Sequence, residues 1–153
     1  LGAGLPEARE VIETTFFVRA AKSISEQELA QLVAEFERAR AALSAAYDAG
    51  EAPEDVRQAY LRVDRAFHDR LIQAAGNNYW IRLYYNLRDR IELYGFQLSR
   101  MPDRFRLAMA EHAQIMDALD KRDFNKGRTL MRQHIRNTRM GILEFRGNEL
   151  GDA

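Results

Sequence analysis

The sequence contains no cysteine, and this absence excludes several kinds of site. Disulfide bonds, thiolate ligands for zinc and cysteine nucleophiles all require a thiol. Any metal site in this chain must therefore use nitrogen and oxygen ligands. A chain without cysteine is also compatible with the reducing cytoplasm, which is the compartment we expect for it.

The sequence also lacks an excess of one charge and any long apolar segment. Its 23 lysines and arginines balance 23 aspartates and glutamates, so the formal net charge is zero. Without a basic excess, electrostatic attraction to nucleic acid or to an anionic membrane is disfavoured. No segment approaches the roughly 20 apolar residues of a membrane span, and the first residues lack the pattern of a signal peptide. We expect a soluble protein that does not itself bind DNA.

Proline and glycine are scarce, at 3 and 9 among 153 residues, and the abundant residue types favour helix. A chain of this length is most simply one domain. We predict six helices, covering about residues 6–21, 25–48, 53–76, 78–99, 103–119 and 123–146. Because the connections are short, the expected fold is an all-α antiparallel bundle that includes residues 1–153. The sequence begins with leucine rather than methionine, so we expect it to be a processed or truncated piece.

Several local signals support these helix limits. The stretch "SEQE" at residues 25–28 has the spacing of a capping box. Pro53 suits the first turn of a helix, and Gly76 suits a left-handed C-terminal cap. Asp123 is a favourable N-cap residue for the last helix.

The chain has three histidines, and all three are predicted to lie on apolar helix faces. Residues three or four positions apart share a face of a helix. Asp64 and His68 stand four positions apart in a row of the third helix that is otherwise apolar. His112 is the centre of a similar row in the fifth helix, and His134 of one in the sixth. We therefore expect these four polar side chains to face inward.

Hydrogen bonds or a shared metal ion would each explain four inward polar side chains. A buried histidine can bond to a carbonyl oxygen, and a buried aspartate can pair with an arginine. An ionised aspartate in a core needs strong compensation, however, and neutral imidazoles offer lone pairs that a divalent cation could use. Three histidines and one aspartate suit Zn, Ni or Mn. Spacing alone does not decide between the two, because it does not show that three helices converge.

Several segments of the sequence resemble a known family. The segments "DRAFHDRLIQAAGN" at 64–77, "EHAQIMDALDKRD" at 111–123 and "MRQHI" at 131–135 closely resemble signatures of the FCD domain. This is the C-terminal effector-binding and dimerisation domain of FadR-subfamily GntR transcription regulators. The segment at 9–29 resembles the opening of the same domain, with Glu13 in the expected place. The resemblance extends over about residues 9–135.

The resemblance implies a regulatory domain rather than an enzyme. It implies that Asp64, His68, His112 and His134 bind one divalent metal ion per chain in a central cavity, with Zn or Ni favoured and Mn as a further choice. It also implies a small carboxylate effector and a homodimer. Operator DNA would then be bound by a separate N-terminal winged helix-turn-helix domain, which is absent from this sequence.

The effector would need side chains that recognise a carboxylate, and the fourth helix offers the best candidates. Arg88 is the first choice, because arginine binds carboxylates with two hydrogen bonds and its position resembles an arginine common in the family. Tyr84 lies one turn earlier, while Arg19 and Asn137 are further candidates. Alternatively, the arginines are solvated and the tyrosines belong to the core or the dimer contact.

Two other functions stay open at this stage: a metal-dependent hydrolase, and a metal-free dimerisation scaffold. A metal ion in a helical cavity could activate water for hydrolysis. A hydrolase would also need a general base. Glu111 adjoins His112 in sequence but points about 100° away from it on an ideal helix.

Gly127 departs from the family, which usually has a helix-favouring alanine at this position. Glycine inside a helix costs about 1 kcal/mol relative to alanine. We therefore expect Gly127 to mark either a close contact between helices or a local bend.

Overall fold

The protein forms six α-helices in a computed structural model that describes residues 4–151, though not the side chains of residues 5, 6 and 142–151. The helices α1 to α6 cover Gly4–Ser23, Glu26–Asp48, Glu54–Ala74, Asn78–Ser99, Pro102–Asp120 and Phe124–Gly151. The all-α class and the six predicted helices are confirmed, and residues 4–151 contain no strand. The last helix continues past its predicted end near residue 146. None of the described helices combines the length and apolarity that crossing a membrane would require.

The predicted local signals lie at the ends of these helices. Ser25 and Glu28 form both bonds of the capping box at the start of α2. Gly76 has a φ of 68°, the left-handed conformation that ends α3. The Asn77 side chain then accepts hydrogen bonds from two backbone amides of α4, and Asp123 accepts one at the start of α6. These caps lie at three of the five connections between helices.

The pairing of α1 with α6 is the most extensive helix contact of the bundle. Helix α6 packs against α1 and α5, while α3 packs against α1, α2 and α4. The core between them is rich in fully buried aromatic side chains, among them Phe17, Phe36, Phe67 and Phe105. Polar side chains interrupt this core where α1, α3, α5 and α6 face one another. This polar cluster is the candidate functional site.

Gly127 lies in close contact with helix α1. A Cβ atom added there would be only 2.7 Å from Cε1 of Phe17. Real Cβ atoms essentially never come this close to another heavy atom. The structure therefore supports the first of the two interpretations, a close contact between helices.

Candidate metal and ligand site

The four predicted ligand residues come together in one place. Asp64 and His68 project from α3, His112 from α5 and His134 from α6. All three imidazoles are buried, and one ligand nitrogen from each lies within 4.8 Å of the others. Oδ1 of Asp64 lies 2.7 Å from Nε2 of His112 and 3.9 Å from Nε2 of His68. The structure thus supplies the convergence that helical spacing could not establish.

The Nδ1 atom of every histidine faces a hydrogen-bond acceptor. These acceptors are Oε2 of Glu13 for His68, the Ala108 carbonyl oxygen for His112 at 3.0 Å, and Oε2 of Glu111 for His134 at 2.8 Å. Carbonyl and carboxylate oxygens only accept, so each Nδ1 carries the ring hydrogen and donates it. In a neutral imidazole the Nε2 atom then presents a lone pair. This arrangement, with Nδ1 bonded to an acceptor, is the usual one for metal-binding histidines.

The lone pairs left by this arrangement lie close to one another. Nε2 of His68 is 3.3 Å from Nε2 of His112. Oδ1 of Asp64 is buried and accepts no hydrogen bond from the described residues. Crowding of electron-rich atoms is unfavourable in a buried site, and a cation would reverse the sign of their interaction. The donor set therefore fits a divalent metal ion.

The charges around the site also favour a cation. The Arg9 guanidinium pairs with Glu13, and that of Arg104 lies 3.6 Å from Glu111. Among the described residues no arginine or lysine forms an ion pair with Asp64, which lies beside the imidazoles of His68 and His112. Unlike Glu13 and Glu111, Asp64 therefore has no arginine or lysine among the described residues as its ion-pair partner.

The pKa values of Asp64, Glu13 and His134 favour the protonation states that metal binding requires. Burial alone would raise the pKa of Asp64, but the imidazoles of His112 and His68 lower it below its usual range. Burial likewise opposes ionisation of Glu13, yet Arg9 and His68 lower its pKa to about 2. For His134, burial lowers the pKa well below the usual value, so the ring is neutral. Ionised carboxylates and neutral imidazoles are the forms that bind metals.

A cavity of about 400 Å³ lies beside these ligands. Its wall includes all four candidate ligands, Arg9, and two of the predicted effector residues, Tyr84 and Arg88. Apolar side chains supply much of the remaining wall, among them Leu61, Ile91, Leu98 and Phe105. A mainly apolar pocket with a few polar groups at one place is typical of sites for small organic molecules.

Arg88 and Tyr84 both belong to the cavity wall, but their surroundings differ. The Arg88 side chain is one-third exposed, lies over the Tyr85 ring and has its Nε atom 3.6 Å from Glu92. Tyr84 is almost fully buried, and this burial raises the pKa of its hydroxyl. Tyr84 is therefore the deeper of the two, while Arg88 stands nearer the solvent.

The other two predicted effector residues are not brought to the cavity. Arg19 is exposed and lies about 120° around helix α1 from Glu13, which faces the site. Asn137 donates to Oε1 of Glu111 at 2.7 Å and accepts from Gln133 at 2.8 Å. Both ends of its amide are therefore bonded within the protein.

Sequence reasoning did not assign Arg9 and Glu13 of helix α1 to the site. Arg9 and Glu13 are buried, and Nη2 of Arg9 reaches to 3.3 Å from Nε2 of His68. The signal was present, because Arg9 and Glu13 stand four positions apart on the face that also carries the buried Phe16 and Ala20. The test that singled out Asp64 and His68 would have found this second polar pair.

Comparison with known proteins identifies a family for this chain. A family model described as the FCD domain matches residues 5–137. The match includes most of the chain and all four candidate ligands. No curated protein matches this chain.

Proposed function

Because this chain belongs to the FCD domain family, a regulatory ligand-binding family of GntR-type regulators, we propose that it senses a small organic acid beside a bound metal ion. One observation carries the proposal: Asp64, His68, His112 and His134 converge from three helices with their potential ligand atoms close together. The family is regulatory and not an enzyme family, which favours sensing over hydrolysis.

The metal part of the proposal is one divalent ion per chain, Zn or Ni by preference and Mn as a third choice. The four residues Asp64, His68, His112 and His134 would supply the protein ligands. An ion that accepts six ligands would keep open positions toward the cavity. A carboxylate of the effector or a water molecule would fill those positions.

The effector part depends on Arg9 and the cavity wall. Arg9 is a buried cation beside the metal ligands, so its guanidinium is suited to a carboxylate bound to the same ion. Tyr84 and Arg88 would contact polar groups farther along the ligand. The apolar wall would enclose a hydrocarbon part, so we propose a small organic acid with an apolar body.

Binding at this site would connect most of the bundle. The ligands and Arg9 belong to α1, α3, α5 and α6, and Tyr84 and Arg88 belong to α4. An acid that binds one arrangement of these helices more tightly than another would shift the population between them. We propose that this shift changes how the N-terminal winged helix-turn-helix domain of the regulator engages operator DNA.

We also propose that the domain acts as a homodimer through α1 and α4. Val11, Tyr79 and Leu83 on these helices are exposed by 54%, 80% and 43%. Exposed large apolar side chains favour a protein interface where they form one surface, and we propose that these three do so. A second copy of this chain is the partner that the family implies.

The first test is the metal content of protein purified without an affinity tag or chelator. Wild-type protein is expected to contain about one metal ion per chain, and His134→Ala to lose most of it, because one of four ligands is gone. Arg128→Ala, an exposed residue of the same helix, serves as the matched control and should retain the ion. A wild type that is metal-free and binds neither added Zn nor Ni would contradict the proposal and favour the scaffold.

Loss of Arg9 is expected to weaken acid binding to zinc-loaded protein about 10- to 100-fold, the usual range for a lost charged hydrogen bond. The measurement is calorimetric titration of Arg9→Met with succinate, citrate and benzoate, compared with wild type. Arg19→Met, an exposed arginine on the same helix, should bind like wild type. Equal affinities in Arg9→Met and wild type would contradict the role of Arg9. Metal-dependent consumption of the acid would instead indicate a hydrolase.

A further inference from the structure

A second layer of polar side chains surrounds His134. Oε2 of Glu111 accepts from Nδ1 of His134 at 2.8 Å, and Oε1 accepts from Nδ2 of Asn137 at 2.7 Å. Oε1 also lies 3.6 Å from Nη1 of Arg104, two turns earlier on the same face of α5. The side chains of Arg104 and Glu111 are 16% and 19% exposed. An ion pair with so little exposure is weakly screened by solvent.

Gly141 allows Arg104 to lie against helix α6. A Cβ atom added at Gly141 would be 2.8 Å from Nε of Arg104 and 3.1 Å from its Cδ and Cγ atoms. The contact with Nε is too close to be kept and the other two are tight, so the arginine side chain would have to shift. Glycine is unfavourable inside a helix, and its presence here has this close approach as its physical reason.

We propose that Arg104 is a positioning residue for the metal site and that Gly141 provides the space it needs. Arg104 holds the Glu111 carboxylate in place, and Glu111 fixes the orientation and the protonated nitrogen of His134. Without the arginine, Asn137 is the remaining side chain that holds the carboxylate, so the acceptor of the His134 ring is less firmly fixed. The metal part of this inference rests on the proposed function.

The first test measures Zn²⁺ affinity by competition with a chromophoric chelator. Arg104→Met, which retains most of the apolar stem, is expected to bind Zn²⁺ about 10-fold more weakly, as for other residues that orient metal ligands. Arg104→Lys keeps the charge and should recover most of the affinity. The matched control is Arg106→Met, an exposed arginine of α5 beside Asp48, which should bind like wild type. If Arg104 acts through Glu111, Arg104→Met should cause no further weakening in a Glu111→Gln background.

The second test needs no metal. Nitrogen NMR shifts of the three histidines are measured in metal-free protein. In wild type they should show the His134 proton on Nδ1, and in Arg104→Met a mixture of the two neutral tautomers. Gly141→Ala should shift both readouts in the same direction, because its Cβ displaces the arginine. If Arg104→Met retains the wild-type tautomer and affinity, the inference is wrong. If wild type binds no zinc, the proposed function fails, and the tautomer measurement alone decides the role of Arg104.

Discussion

Saturation with Zn²⁺ is expected to raise the unfolding temperature of the wild-type protein by about 5–11 °C, and His112→Ala should abolish this rise. A ligand at 100 times its dissociation constant stabilises the folded state by about 2.7 kcal/mol. For a chain of this size, each kcal/mol raises the unfolding temperature by roughly 2–4 °C. Stabilisation of this size requires an ion that binds the folded state and not the unfolded one. The ligands meet this condition, because they come from three helices that unfolding separates.

His112 is the ligand whose loss should matter most. Its Nε2 atom lies near Asp64 and His68, and its ring centroid is 4.0 Å from that of His134. The measurement is thermal unfolding followed by circular dichroism, with and without Zn²⁺. Since His112→Ala also lowers stability by itself, only the rise caused by zinc is compared. Gln114→Ala, exposed on the same helix, should keep the full rise. An equal rise in His112→Ala would show that zinc binds elsewhere.

The helices could be predicted because each carries its own evidence. Apolar residues at helical spacing and local caps such as those at Ser25 and Asp123 act within a few residues of the chain. The inward position of His68 and His112 followed from the same spacing. Packing between helices leaves no such local signal, so the distance between these two rings needed the structure.

The effector residues show where helical spacing stops being informative. Asn137 lies one turn from His134, and its side chain could reach either the cavity or α5. In the structure the Asn137 side chain donates to Glu111 of α5, and helical spacing does not predict this contact. Arg9 was missed for a different reason: the spacing test was applied to histidine neighbours and not to helix α1. Its distance of 3.3 Å from His68 depends on how α1 packs against α3.

Gly127→Leu is expected to lower the free energy of unfolding by about 2 kcal/mol, although it replaces a helix-interior glycine with a good helix former. Even the first added atom would lie 2.7 Å from Cε1 and 2.9 Å from Cζ of Phe17. The Phe17 ring is fully buried, so it cannot swing into solvent. Overpacking of this kind costs about 1–3 kcal/mol, with larger side chains at the upper end. The helix propensity regained is only about 1 kcal/mol.

Urea unfolding of glycine variants separates overpacking from helix propensity. Gly127→Ala should lose about 1 kcal/mol, because the overpacking exceeds the propensity gain. Gly95→Ala is the matched control: its Cβ would meet only Cδ2 of Leu61 at 3.4 Å, so it should gain up to about 1 kcal/mol. In a Phe17→Leu background the obstructing ring atoms are gone, and Gly127→Ala should become stabilising. If Gly127→Ala stabilises the wild type as much as Gly95→Ala does, the contact between α1 and α6 is looser than these distances imply, and the glycine has no packing role.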